Sequence, residues 1–311
     1  MSHVSAALAL LGILAVTPAR AGDGFKQHQP RTVYVFGDSL SDNGNADVLF
    51  PDVFCPFWCQ APWAFPRFSN GPMWPDAMGM KLGKGIYPEA DGGTNYALGG
   101  ATISPDDPYN VLPAISGYAE VDTFLAQHGS ADPAAIYVVW LGANDIDPPA
   151  SYTQKCYEQL VVMLQRLFDA GARRFLIPNL EDLGALPSMR DLACSEDHTY
   201  CDQLTQMTAV WNGLLKQLPA RFPKARIRVA DYHGLKQTVT RFPGLFGFKN
   251  ATEPCWRDWT DGWMCPDPDD YWYFDYSHPT TRAHKVISDF LLVNLLMAGE
   301  LKVTDLVPAM P

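Results

Sequence analysis

Short apolar runs alternating with segments of helical periodicity constrain this chain more than any other feature. Five runs stand out: Arg31–Phe36 (RTVYVF), the weaker Asn95–Leu98 (NYAL), Ala135–Leu141 (AIYVVWL), Arg174–Pro178 (RFLIP) and Ala225–Ala230 (ARIRVA). Each is nearly continuous in apolar residues, the pattern of strands covered on both faces. Helical patterns lie between and after them, at residues 121–128, 152–172, 200–222 and 280–299, the second stopping near Gly171. Such alternation predicts an α/β fold with a mostly parallel sheet, helices on both sides and right-handed crossovers.

Nothing in the composition divides the chain. Its 311 residues carry 47% hydrophobic and 12% aromatic side chains, enough for a sizeable core. Neither a linker nor an internal repeat is present, so residues 22–311 are expected to form one domain. Residues 46–94 and 235–277 are rich in Pro, Gly and aromatics and read as long loops grafted on that domain. The formal charge of -11 argues against a basic nucleic-acid surface.

The N-terminal residues 1–21 read as a signal peptide. A short apolar stretch from Val4 to Val16 precedes the small-x-small pattern Ala19-Arg20-Ala21. The stretch is short for a membrane span. Export, to periplasm or exterior, suits the seven cysteines. Cys55/Cys59, Cys194/Cys201 and Cys255/Cys265 suggest three local disulfides, with Cys156 left free in a helix. None of the scattered histidines joins a close cysteine pair at a zinc-ligand spacing, so no metal is expected.

Chemistry concentrates just past the first run, in Phe36–Asn45 (FGDSLSDNGN). In an open parallel sheet, ligands collect beyond the carboxyl ends of strands. Ser39 sits there. It is either a cap and turn residue or a nucleophile whose own N–H, at a helix start, faces developing negative charge. A nucleophilic serine needs a base, and Asp275–His278 (DYSH) supplies a candidate. Asp275 lies one turn from His278 and could hold its tautomer; a His-Pro surface turn is the plain alternative. His284 falls inside the last helical pattern and reads as structural. Gly100, in Leu98–Ala101 (LGGA), and the Asn144 side chain, in Leu141–Asp145 (LGAND), could complete an oxyanion hole with the Ser39 N–H. Gly99 is the less favoured donor, and Asp145 orients its loop. Asp38 and Asp42 flank Ser39 too closely to form a glycosidase pair.

In chain order, residues 36–45, 95–102, 142–145 and 275–278, the four blocks resemble the SGNH/GDSL hydrolase family, from about residue 31 to 295. Pro66–Gly71 (PRFSNG) with Trp74, and Ile177–Gly184 (IPNLEDLG) with Pro187, resemble its lipase/acyltransferase branch, which includes bacterial lysophospholipases and phospholipid–cholesterol acyltransferases. The resemblance implies a three-layer α/β/α sandwich with a flavodoxin-like sheet and no cofactor. It implies Ser39 as nucleophile, His278 as base, Asp275 as its supporting acid, and Ser39, Gly100 and Asn144 as the oxyanion hole. The expected activity is hydrolysis of carboxylic esters through an acyl-serine, on lysophospholipids or other fatty-acyl esters, with transfer to a second alcohol as a variant. A short-chain carboxylesterase or carbohydrate O-acetylesterase is the alternative within enzymes; an inactive lipid- or glycan-binding protein is the alternative outside them. Phe54, Phe57, Trp58, Trp63 and Phe65 in one loop, and Trp256, Trp259, Trp263 and Trp272 in another, could line a lipid cleft, touch a membrane surface or build a satellite core.

Overall fold

A computed structural model describes residues 31–58, 62–257 and 260–307. The signal-peptide reading of residues 1–21, the Cys55/Cys59 pairing, the side chains of Phe57 and Trp58, and Trp259 lie outside the described residues.

Four strands, β1 (Val33–Gly37), β2 (Ile136–Trp140), β3 (Arg174–Pro178) and β4 (Arg226–Ala230), form one sheet in that order. All pairings are parallel, with Val33 opposite Ile136 and Arg174 opposite Arg226. The weakest predicted strand does not become a full one. Residues 94–98 run beside β1 through a single parallel bridge between Asn95 and Val35. Tyr96 N–H donates to Val35 O at 2.8 Å and Leu98 N–H to Gly37 O at 2.9 Å, so the segment still extends the edge.

The order across the sheet is therefore residues 94–98, β1, β2, β3, β4. The chain first winds outward one way from β1, then returns and winds the other way. With right-handed crossovers, that reversal puts helices on opposite faces. Between β1 and residues 94–98 come two short helices, α1 (Asn45–Leu49) and α2 (Pro51–Trp58), and α3 (Trp74–Leu82). The last of these packs on the C-terminal helix of the fold. On the other side, α4 (Gly117–His128), α5 (Ala150–Ala170) and α6 (Thr199–Leu215) pack in series. The expected three layers result.

Two loop assignments change. Residues 46–94 hold α1 to α3. The segment 235–277 begins inside α8 (Tyr232–Arg241), which follows the short α7 (Leu218–Arg221), and contains a second, two-stranded sheet of β5 (Asn250–Pro254) and β6 (Tyr271–Tyr273). Their Pro, Gly and aromatic content had hidden a periodicity too short to register. The helical pattern over 200–222 breaks after Leu215, just ahead of Pro219, because proline cannot donate to the helical ladder. The final helix, α9, spans Thr281–Met297, capped by the Thr280 hydroxyl accepting from Ala283 N–H at 3.2 Å.

The β2 strand is buried at all five positions, as a central parallel strand should be. Edge strand β4 departs from the double-covered expectation: Arg226 is exposed and Ile227 to Val229 are half-buried. Disulfides join Cys194 to Cys201 and Cys255 to Cys265, and Cys156 is free and buried in α5. Among the described residues no helix is long and apolar enough to cross a membrane.

Candidate active site

Ser39 lies in a tight turn directly beyond β1, not at a helix start. Ser41 and Asp42 both donate their N–H to Asp38 O, at 2.9 and 3.0 Å, and the first helix begins only at Asn45. Any N–H offered here therefore belongs to a turn rather than to a helix dipole. Buried carboxylates fix the turn. Asp38 accepts the Leu40 N–H at 3.0 Å, and Glu120 reaches from α4 to accept the Gly37 N–H at 2.9 Å. Asp42 accepts four N–H groups, from Gly44, Asn45, Ala46 and Gly99, at 2.6 to 2.9 Å.

The histidine arrives from the other end of the chain. Ser39 Oγ is 3.0 Å from His278 Nε2, and His278 Nδ1 is 2.8 Å from Asp275 Oδ2. Asp275 also accepts N–H bonds from Ser277 at 2.8 Å, from His278 at 2.7 Å and from the Trp63 indole at 3.1 Å. Burial pushes this carboxyl up, but the His278 charge, the ring hydrogen bond and the two backbone donors outweigh it and hold it below its usual value. Asp275 is thus an anion aimed at Nδ1, which leaves Nε2 to face the serine.

The two other predicted residues converge on the same place. Gly99 spends its N–H on Asp42, whereas the N–H groups of Ser39 and Gly100 donate to no protein atom among the described residues. Gly100 has φ +73, a left-handed conformation that a side chain disfavours. Asn144 donates from Nδ2 to Ala101 O at 3.0 Å, which leaves its second amide proton. Its turn needs Gly142, with φ +117 and a Cβ position only 2.6 Å from the Trp211 ring. Asp145 accepts the Ile103 N–H at 2.7 Å and so ties the Asn144 loop to the Gly100 loop.

Ser39, Gly100, Asn144 and His278 all line one cavity of about 360 Å³, a size suited to a small ligand or an acyl group. It runs along the carboxyl ends of the strands, through Leu180 after β3 to Tyr232 after β4. Phe54, Phe68, Val111, Leu183, Leu186 and Met189 make much of the wall apolar.

The aromatic loops divide among several tasks. Phe54 lines the cavity, Trp63 supports Asp275 and stacks edge-on against half-buried Trp256 at 4.3 Å, and Trp272 is fully buried in the core. Phe65 and Trp263 are exposed. His284 is fully buried in α9 and does not line the cavity; burial, followed by the charge of His278, lowers it to about 3, which keeps it neutral. Sequence reading missed Glu120 and the role of Trp63. Their partners lie 83 and 212 residues away, and no local spacing signals such contacts.

The carboxylates under the turn give a testable pH dependence. Burial raises Asp38 and Asp42 to about 6, against the opposing effect of their N–H donors. Unfolded aspartate titrates near 3.9, so the folded state binds protons preferentially between these values. The stability linked to this protonation is complete below the unfolded value and is lost as pH rises through about 6. Each group contributes on the order of 1 kcal/mol per pH unit within that window. Asp275 acts oppositely: its contribution is present above the unfolded value near 3.9 and is lost as pH falls from there through its lowered value, below the pH 7 to 5 range. We therefore expect Tm to rise by several degrees as pH falls from 7 to 5. A flat or falling calorimetric profile over that range would count against these assignments.

Comparison with known proteins identifies the family. The family model for GDSL-like Lipase/Acylhydrolase matches residues 33–291. The chain is 30% identical to Lipase 1 of Photorhabdus luminescens over 60% of its own length, but spans only 28% of that protein. It is 26% identical to a GDSL esterase/lipase of Arabidopsis thaliana, covering 84% of this chain and 85% of the relative. The thermolabile hemolysin of Vibrio parahaemolyticus is 27% identical over 85% of this chain and 63% of its own. Among solved structures, a lipase/acylhydrolase from Enterococcus faecalis superposes with a TM-score of 0.44 at 13% identity, covering 90% of this chain and 100% of that one. With the family model matching most of its length, the chain belongs to the GDSL-like lipase/acylhydrolase family of ester-hydrolysing enzymes.

Proposed function

We propose that this protein is an exported serine hydrolase of fatty-acyl esters, lysophospholipids among them, with Ser39 as nucleophile. The observation that carries the reading is the continuous relay from Asp275 through His278 to Ser39 Oγ, opening into an apolar cavity that also presents Gly100 and Asn144.

In the first half-reaction His278 Nε2 takes the Ser39 proton as Oγ attacks the ester carbonyl. The carbonyl oxygen becomes an oxyanion held by the Ser39 and Gly100 N–H groups and the free Asn144 amide proton. Collapse of this intermediate expels the alcohol, which takes the proton from His278 and leaves an acyl-Ser39 ester. In the second half-reaction, water gives a proton to His278 and attacks the acyl carbonyl; collapse then returns the proton to Ser39 Oγ and frees the acid. A second alcohol in place of water yields a transferred ester by the same steps. Asp275 stays ionised throughout and stabilises the imidazolium.

The apolar wall favours a fatty-acyl substituent over an acetyl group, because burying each methylene contributes about 0.8 kcal/mol. Two disulfides favour an oxidising compartment, in keeping with residues 1–21 as a signal peptide and 22–311 as a single hydrolase domain. Among the described aromatics of these two loops, the exposed Phe65 and Trp263 are candidates for peripheral contact with lipid.

A substrate panel tests the reading. Below their aggregation thresholds, medium-chain acyl esters and a lysophospholipid of matching acyl length should exceed an acetyl ester and an acetylated sugar in kcat/KM by at least tenfold. Preference for the acetylated sugar would replace the lipid reading with a carbohydrate esterase.

A further inference from the structure

Part of the cavity wall is not used by the reaction. Glu181 lies there, is only 5% exposed, and sits just beyond β3. Its two oxygens accept hydrogen bonds from the hydroxyls of Tyr232, at 3.2 Å, and Tyr273. Lys236 compensates the charge: its ammonium bonds Ala251 O at 3.0 Å and lies 4.7 Å from the centre of the Tyr273 ring. The residues come from the loop after β3 and from α8, β5 and β6, so the wall is braced from both sheets.

The direction of the acyl chain follows from the fold. The leaving alcohol must face His278, whose ring packs 5.5 Å from Phe68, so it departs past Phe68 and Phe54. The oxyanion occupies the Gly100 and Asn144 side. The remaining substituent, the acyl chain, then points across the strand ends toward Leu180, Met189 and Tyr232. Strands are spaced about 4.8 Å apart, so β1 lies roughly 10 to 14 Å from β3 and β4. At about 1.2 Å per backbone bond in an extended chain, that span holds on the order of ten carbons.

We infer that Glu181, clamped between Tyr232 and Tyr273, is the end stop of the acyl pocket and sets an upper limit of about ten carbons on the chain that fits within it. This rests on Ser39 being the acylated residue. A longer chain would have to press methylenes onto a desolvated carboxylate or break its tyrosine bonds, and neither gains buried apolar area. Glu181 therefore determines specificity without taking part in bond making.

The test measures kcat/KM for p-nitrophenyl esters of two to sixteen carbons, below their aggregation thresholds, in the wild type, Glu181→Ala and Met189→Trp. The wild type should peak at eight to ten carbons and fall at least tenfold by sixteen. Glu181→Ala should move the peak to longer chains. Met189→Trp fills the pocket ahead of the wall and keeps the test open if Glu181→Ala fails to fold; it should lower the octanoyl-to-acetyl ratio at least tenfold. Loss by a common factor at every length, with no shift in the peak, marks a structural role only and overturns the proposal. So does a wild-type rate that climbs to sixteen carbons, or a Met189→Trp effect that follows the alcohol chain in alkyl acetates instead of the acyl chain. Failure of the underlying ester-hydrolase reading shows separately, as no wild-type turnover at any length.

Discussion

Ser39→Ala is expected to lower kcat on any ester by roughly 10⁴ to 10⁶, the loss typical of removing a nucleophile that acts with its base as one unit. The fold should survive. Ser39 is half-buried, and its hydroxyl bonds His278 at the mouth of the cavity rather than filling the core. Substitutions of that kind usually change stability by about 0.5 kcal/mol or less. The same variant should lose covalent labelling by a fluorophosphonate, which reports on the nucleophile without requiring the natural substrate. Labelling that persists at wild-type level in Ser39→Ala would remove Ser39 from its role.

Asp275→Asn should rank next, with kcat reduced by about 10² to 10⁴ while KM changes little. The carboxylate fixes the His278 proton on Nδ1, and an amide that presents N–H to the ring would place it on Nε2, facing the serine. Unlike Ser39→Ala, this change should also cost stability. Two backbone N–H groups and the Trp63 indole all donate to Asp275, and an amide cannot accept from every one of them. Leaving one buried donor without a partner costs about 1 to 3 kcal/mol. Trp63→Phe, which removes a single donor but keeps the charge, should lie between the wild type and Asp275→Asn in rate. Equal kcat values for Asp275→Asn and the wild type would show that His278 needs no carboxylate to be oriented.

Much of this site was legible in the chain. A serine after the first apolar run, an aspartate one turn before a histidine, and the LGGA and LGAND segments each have a local chemical reason, and the structure brings Ser39, Gly100, Asn144, Asp275 and His278 to one cavity. The parallel sheet was equally legible, because strands such as β2 are buried on both faces and must be apolar throughout. Less visible were elements without a strong period: α1 to α3 inside the presumed first loop, and β5 and β6 inside the second. Asn95–Leu98 reads as a strand but makes only one bridge to β1, since pairing at a sheet edge is decided by β1 and not by the segment's own pattern.

Sequence alone determined the residue types and their chain order, and local chemistry was enough because turns, caps and apolar runs are short-range. Tertiary structure decided what no spacing encodes. It consumed the Gly99 N–H on Asp42 and left that of Gly100 toward the cavity. It placed Ser39 in a carboxylate-braced turn rather than on a helix end, settled Trp63 against Asp275 where its loop could equally have faced lipid or built a satellite core, and set Glu181 in the cavity wall. These are contacts between groups far apart in the chain, selected by burial and by the need to pair every buried polar group, and only the folded sheet brings them within reach.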